Sequence, residues 1–146
     1  MNIERIVPNL TVADLRRSVD DHAAVLGLEV VMDHGWIVTL AYSRGCQLNL
    51  LTRDATAREN PDVLIYVNDV EAAYCRTVEA GREIVHPLTT EERGVTRFFY
   101  CDGSSNVINV GMHSRCAPKM QGSVGALAMH YLFDPPLGTP IDSASL

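Results

Sequence analysis

Pro61-Asp62-Val63-Leu64-Ile65-Tyr66-Val67-Asn68-Asp69-Val70, continuing to His113, is the stretch on which the reading of this chain turns. The apolar run Val63 to Val67 has the length and composition of a strand, and Asn68-Asp69 ends it with residues suited to cap a helix. A helical pattern runs on to Gly81, and Glu83-Ile84-Val85 then reads as a short strand. After a polar loop holding Pro87 and Gly94, strand patterns occupy Val95 to Tyr100 and Val107 to Val110, separated by the turn Asp102-Gly103-Ser104-Ser105-Asn106. The predicted order is βαβββ.

The chain before it predicts the same order. Ile3 to Val12 is extended, with Pro8 removing one ladder hydrogen bond and pointing to an edge or a bulge. Asp14 opens a helix with Leu15, Val19, His22 and Leu26 on one face, and Gly27 stops it. Leu28 to Asp33 and Trp36 to Tyr42 read as strands joined by a tight hairpin at His34-Gly35, Arg44-Gly45 makes a second turn, and Cys46 to Leu51 is the last strand.

Thr11 to Leu15 lines up with Tyr66 to Val70 at an offset of about 55, and Leu28 to Val31 lines up with Arg82 to Val85 at nearly the same offset. Each half ends in an alternating strand, Gln47-Leu48-Asn49-Leu50 and Val107-Ile108-Asn109-Val110. An α+β fold is expected, with two βαβββ modules (about 3–52 and 61–113) forming a curved mixed sheet around a cavity. The modules make one domain, 1–113, with a polar linker, Thr52 to Asn60, between them and a C-terminal extension, 114–146, after them.

A chain of 146 residues with 47% hydrophobic and 21% charged residues supports one substantial core. The net charge of −6 argues against nucleic acid or an anionic membrane as partner, because both demand a basic surface. No basic segment leads an apolar one at the start, and no apolar run reaches the roughly 18 residues of a membrane helix, so the expected location is cytoplasmic. Cys46, Cys75, Cys101 and Cys116 lack a C-x-x-C spacing and read as reduced thiols, none of them a nucleophile.

Several stretches together carry a family resemblance. They are Val12-Ala13-Asp14-Leu15 with Ser18, Val25 to Val30, Val67-Asn68-Asp69-Val70 with Ala73-Tyr74, Ala80-Gly81, Pro87-Leu88, and Gly94 to Val110. In them the chain resembles the vicinal oxygen chelate superfamily, which groups glyoxalase I, extradiol dioxygenases, fosfomycin-resistance enzymes and bleomycin-resistance proteins. The resemblance implies the two-module fold and a homodimer. It also locates the family's metal-ligand positions at Val7 and Asn49 in the first module, and at Asp62 and Asn109 in the second. One apolar residue and two amides make a poor divalent site, so neither metal nor cofactor is expected. His86 and His113 stand away from those positions and read as surface or strand-end histidines. Asp21-His22 replaces the family's aromatic pair in the first helix, and Asp102 to Asn106 replaces its Asp-Pro-x-Gly-Asn turn.

The expected cavity lining is Trp36, Tyr42, Asn49, Asp62, Tyr66, Phe98, Tyr100 and Asn109, aromatics and amides with one carboxylate. Such a lining suits an aromatic or cationic small molecule. The leading expectation is a metal-independent binding protein that sequesters an aromatic or cationic metabolite or antibiotic. The alternative is a lyase, isomerase or dioxygenase on the same fold, with an atypical metal site or with acid/base work from His22, Asp62 or Glu91. A third reading is an assembly module acting through its tail. Of Arg97 and Phe98, alternation sends one outward, and Glu91-Glu92 lies in a loop able to close over a ligand. In the tail, Ser114 to Gln121 is polar, Gly122 to Phe133 is apolar enough to dock as a helix or strand, with Val124 to Leu132 expected to cover a sheet edge, a partner subunit or the cavity mouth, and Pro135 to Leu146 is extended or disordered.

Overall fold

Two aspartates at matched positions start the two helices. In the computed structural model, which describes residues 1–42 and 45–114, Asp14 accepts the Arg17 N–H at 3.0 Å at the head of α1 (Leu15–Leu26). Asp69 accepts the Ala72 N–H at 2.9 Å at the head of α2 (Val70–Glu79). Each aspartate satisfies a backbone donor that has no partner within the first turn. Both helices end against a glycine in the left-handed region. Gly27 (φ 65°) donates its N–H to the Ala23 carbonyl. Gly81 (φ 67°) and Arg82 donate theirs to Val78 and Thr77, the paired bonds of a Schellman ending.

Around the helices run β1 (Ile3–Thr11), β2 (Glu29–Asp33), β3 (Ile37–Tyr42), β4 (Cys46–Leu51), β5 (Val63–Val67), β6 (Ile84–Thr90), β7 (Val95–Cys101) and β8 (Val107–His113). They form one mixed sheet in the order β2-β3-β4-β1-β5-β8-β7-β6. In each half the first strand lies parallel to the fourth, β1 beside β4 and β5 beside β8, and the halves meet where β1 pairs antiparallel with β5. The two βαβββ units are therefore halves of one continuous sheet. The turn from Asp102 to Asn106 forms as expected, with Asp102 accepting the Ser104 and Asn106 N–H groups and the Asn106 side chain.

Pro8 overturns one expectation, since its strand is central. Asn9 donates its N–H to Asp62 on the β5 side, so the neighbouring position aims its missing N–H toward β4. Pairing with β4 begins only at Asn9, so no ladder bond is lost. The register shift in β1 falls between Ile3 and Arg5, not at Pro8.

Both helices cover one face. Leu15 and Val19 of α1 pack with Val38, Leu40 and Leu50, while Val70 and Ala73 of α2 pack with Val67, Phe98 and Val110. Burial of a side chain as large as Phe98 contributes roughly 2–3 kcal/mol, and Tyr74 meets it edge-on at 5.1 Å. The opposite face is concave. The guanidinium of Arg93, between β6 and β7, sits 5.7 Å from the Trp36 ring, between β2 and β3. Those turns would be roughly 25 Å or more apart in a flat sheet at about 4.8 Å per strand. The sheet therefore curls until its two ends face each other across the helix-free side.

Arg44 of the expected second turn, Cys116 and the tail segments from 115 onward lie outside the described residues.

Candidate functional site on the concave face

Strand alternation sends Asn9, Thr39, Asn49, Tyr66, Arg97, Phe99 and Asn109 to the helix-free face, and they gather into three groups. At the centre, the Thr39 hydroxyl donates to Asn49 Oδ1 at 2.6 Å, Asn49 Nδ2 donates to Asn9 Oδ1 at 2.8 Å, and Asn9 Nδ2 donates to the Pro61 carbonyl at 3.1 Å. All three side chains are buried, and the chain of amides ties β3, β4 and β1 to the start of β5.

The second group belongs to β7. Arg97 is buried, held by Asp54 at 2.9 Å, by Glu91 at 2.8 Å, and by the Thr56 hydroxyl. Asp54 and Thr56 come from the linker, which folds back over the sheet and lays Ala57 against Phe99 and Val107. Asn60 ties the linker's two ends, accepting the Asp54 N–H and donating to the Thr52 carbonyl and the Thr11 hydroxyl. Burial pushes the Asp54 carboxyl up, but hydrogen bonds from Thr56 and Arg97, with the Arg97 charge, more than offset this and hold it below the ordinary carboxylate value. His86 lies 3.7 Å from Glu91, and burial together with the Arg97 charge lowers its pKa from the ordinary value, outweighing the opposing pull of Glu91 and Asp54.

The third group joins three strands that are distant in sequence. The Arg5 guanidinium lies 4.4 Å over the Tyr66 ring, and His113 stacks on the same ring at 4.6 Å. Burial raises the Tyr66 pKa against the opposing charges of Arg5, Arg93 and Arg97, and burial beside Arg5 lowers that of His113. Next to β5, Asn109 is 5% exposed and its Oδ1 has no hydrogen-bond partner among the described residues.

The structure divides the expected lining. Asn49, Tyr66 and Asn109 face the concave side, and Trp36 stands at its rim in the β2–β3 turn, its carbonyl accepting the Thr52 N–H. Phe98 and Tyr100 do not. Both belong to the core under α2, because the helix packs on that face of β7. Nor does either of Arg97 and Phe98 reach solvent, since the linker covers one face of β7 and α2 the other. Tyr42 is 61% exposed at the end of β3. The acid/base candidates fare no better. His22 rides on α1, across the sheet from Asn49. Asp62 accepts the Val107 N–H at 2.7 Å and pins the start of β8. Glu91 is held by Arg97.

Sequence reasoning passed over Arg5, Asn9, Thr39, Asp54, Thr56 and Arg93, and weighed Arg97 only as the neighbour of Phe98. An asparagine inside the apolar run Val7-Pro8-Asn9-Leu10 and an Asp-x-Thr within the linker were the signals available. The metal that the family implies does not fit. Val7 offers no donor, the Asn49 amide is held between Thr39 and Asn9, and Asp62 is held by a backbone N–H. Among the described residues no three His, Cys, Asp or Glu come together as ligands. Nor is any helix among them long and apolar enough to cross a membrane.

On the helical face, β1 stays uncovered between the helices, with Ile3 58% and Ile6 56% exposed. A groove of about 330 Å³ opens there beside α2, lined by Ile3, Ile65, Val67 and Tyr100.

Comparison with known proteins agrees with this architecture. The family model for the Glyoxalase/Bleomycin resistance protein/Dioxygenase superfamily matches residues 2–110, and the chain belongs to that superfamily. Among solved structures it is similar to a superfamily member from Vibrio splendidus 12B01, 21% identical with a TM-score of 0.60, the match covering 77% of this chain and 99% of that one. A methylmalonyl-CoA epimerase from Streptomyces coelicolor, in complex with 2-nitronate-propionyl-CoA, is 16% identical with a TM-score of 0.56, over 80% and 99%. A protein from Legionella pneumophila described as NAD-dependent benzaldehyde dehydrogenase is 13% identical with a TM-score of 0.62, over 75% and 99%. At such identities the likeness speaks for the fold alone. No curated protein matches the sequence significantly.

Proposed function

We propose that the protein binds a planar small molecule, a metabolite or an antibiotic, on its concave face and releases it unchanged. The observation that carries the proposal is the pairing of Trp36 and Arg93 across the open side of the sheet, with Tyr66 between the two ends. Aromatic rings that flank a concave surface hold flat molecules by stacking, and a few oriented polar groups set their orientation. The Asn109 Oδ1 is one such group, a buried acceptor with no partner among the described residues.

Binding is favoured over turnover because Asp62 and Glu91 are engaged in holding the fold and His22 lies across the sheet. The donor set at the family's metal positions supports a site that works without a resident metal. The experiment is a titration of the purified chain with a panel of flat aromatics, uncharged, anionic and cationic, followed by calorimetry and by the fluorescence of its single tryptophan. Saturable one-site binding with the ligand recovered intact is the expected result. Recovery of a chemically altered ligand, or silence from the whole panel in both measurements, rejects the proposal.

A further inference from the structure

Resting on that binding reading, we infer that the ligand is an anion, a planar aromatic carboxylate or phosphate ester whose charged group is held by Arg5 and Arg93. The three arginines of the concave face are treated differently by the fold. Arg97 is neutralised by two carboxylates, Asp54 and Glu91, within hydrogen-bond distance. Arg5 and Arg93 take part in no ion pair among the described residues. Each instead lies against an aromatic ring, Arg5 over Tyr66 and Arg93 over Trp36.

A guanidinium carries five donors in a fixed fork and keeps its charge at any physiological pH. Leaving one of those donors dry and unbonded is costly, more so than for a neutral group. Arg5 does so, since its Nε is buried with no hydrogen-bond partner among the described residues. Arg5, by its charge and by a hydrogen bond, and Arg93 and Arg97, by their charges, all act on the Tyr66 hydroxyl, so the three guanidinium groups share one neighbourhood. A cationic ligand would bring one more positive charge to this place. An anion would neutralise Arg5 and Arg93, and a flat anion would stack on the rings that already carry them. The expectation of a cationic ligand is therefore reversed. Two cations with no ion pair among the described residues, gathered on one face of a chain whose net charge is −6, need a local purpose, because the overall field repels anions.

The test is a charge series on one ring system, 2-naphthoate, 2-naphthyl phosphate and uncharged 2-naphthamide, titrated into the full chain by calorimetry. At least one of the two anions should bind about tenfold or more tightly than the amide, a difference typical of one charge-assisted contact. Arg93→Gln, a change at an exposed loop residue, should erase most of that preference, read as the ratio of anion to amide affinity within the same variant. Arg5→Lys should keep part of it by retaining charge without the fork. Amide binding as tight as both anions, or a preference unchanged in Arg93→Gln and Arg5→Lys alike, overturns the inference and leaves the binding proposal standing. Absence of binding by all three probes overturns both.

Discussion

Asn49 shows how one side chain can occupy a family's ligand position and do something else. Its amide oxygen takes the Thr39 hydroxyl and its amide nitrogen reaches Asn9, in a site 3% exposed. Neither Thr39 nor Asn9 has a substitute partner within the network. Asn49→Ala would strand a buried hydroxyl and a buried amide, and should lower the unfolding free energy by about 2–4 kcal/mol. Urea titration monitored by circular dichroism would measure it. A loss under about 0.5 kcal/mol would mean that the network is not a structural strut.

The linker from Thr52 to Asn60 is the segment whose role changes most on folding. Polar and without strand or helix pattern, it nonetheless delivers Asp54, Thr56 and Ala57 to the concave face of the second half. Breaking a buried ion pair from one side leaves an uncompensated charge, although Glu91 still holds Arg97. Asp54→Ala should therefore cost about 3 kcal/mol. Removing the charges together, Asp54→Leu with Arg97→Met in a Glu91→Gln background, should recover most of that loss, since Glu91 would otherwise lose its own partner. If the triple variant is no more stable than the single one, the loop is held by something other than this pair.

Across the molecule, the histidines link stability to pH. Burial lowers the pKa of His34, His86 and His113 from 6.5, with nearby arginine charge adding to it. The unfolded chain then takes up protons before the folded one does. Stability from these groups is complete above pH 6.5 and is lost as pH falls below it toward the folded-state values. Asp54 and Asp102 are depressed carboxylates, so their contribution holds above the unfolded value of 3.8 and fades below it. Denaturant midpoints measured between pH 8 and pH 3 should fall in two stages, the first made shallower by His86→Gln. A flat profile between pH 8 and pH 5 would show that these imidazoles are protonated as readily in the folded protein as in the unfolded chain.

Helix starts at Asp14 and Asp69, stops at Gly27 and Gly81, and the repeated βαβββ order were all legible along the chain, because capping, left-handed turns and apolar runs depend on residues a few positions apart. The same pattern showed that neighbours in β7 look in opposite directions, yet not which of them looks toward the helix. That choice assigned Phe98 and Tyr100 to the core and Arg97 and Phe99 to the concave face, and it depended on where α2 came to rest. Pro8 was legible as a missing donor, but its harmless place in a central strand depended on where β1 passes from β5 to β4. Arg5, Tyr66 and His113 belong to three strands, and nothing in their local spacing brings them together. Pairing of β1, β5 and β8 puts them in one stack, and the curl of the sheet carries Arg93 to Trp36. Local chemistry thus settled the elements, while the site arose from long-range strand pairing and curvature, which depend on every strand at once.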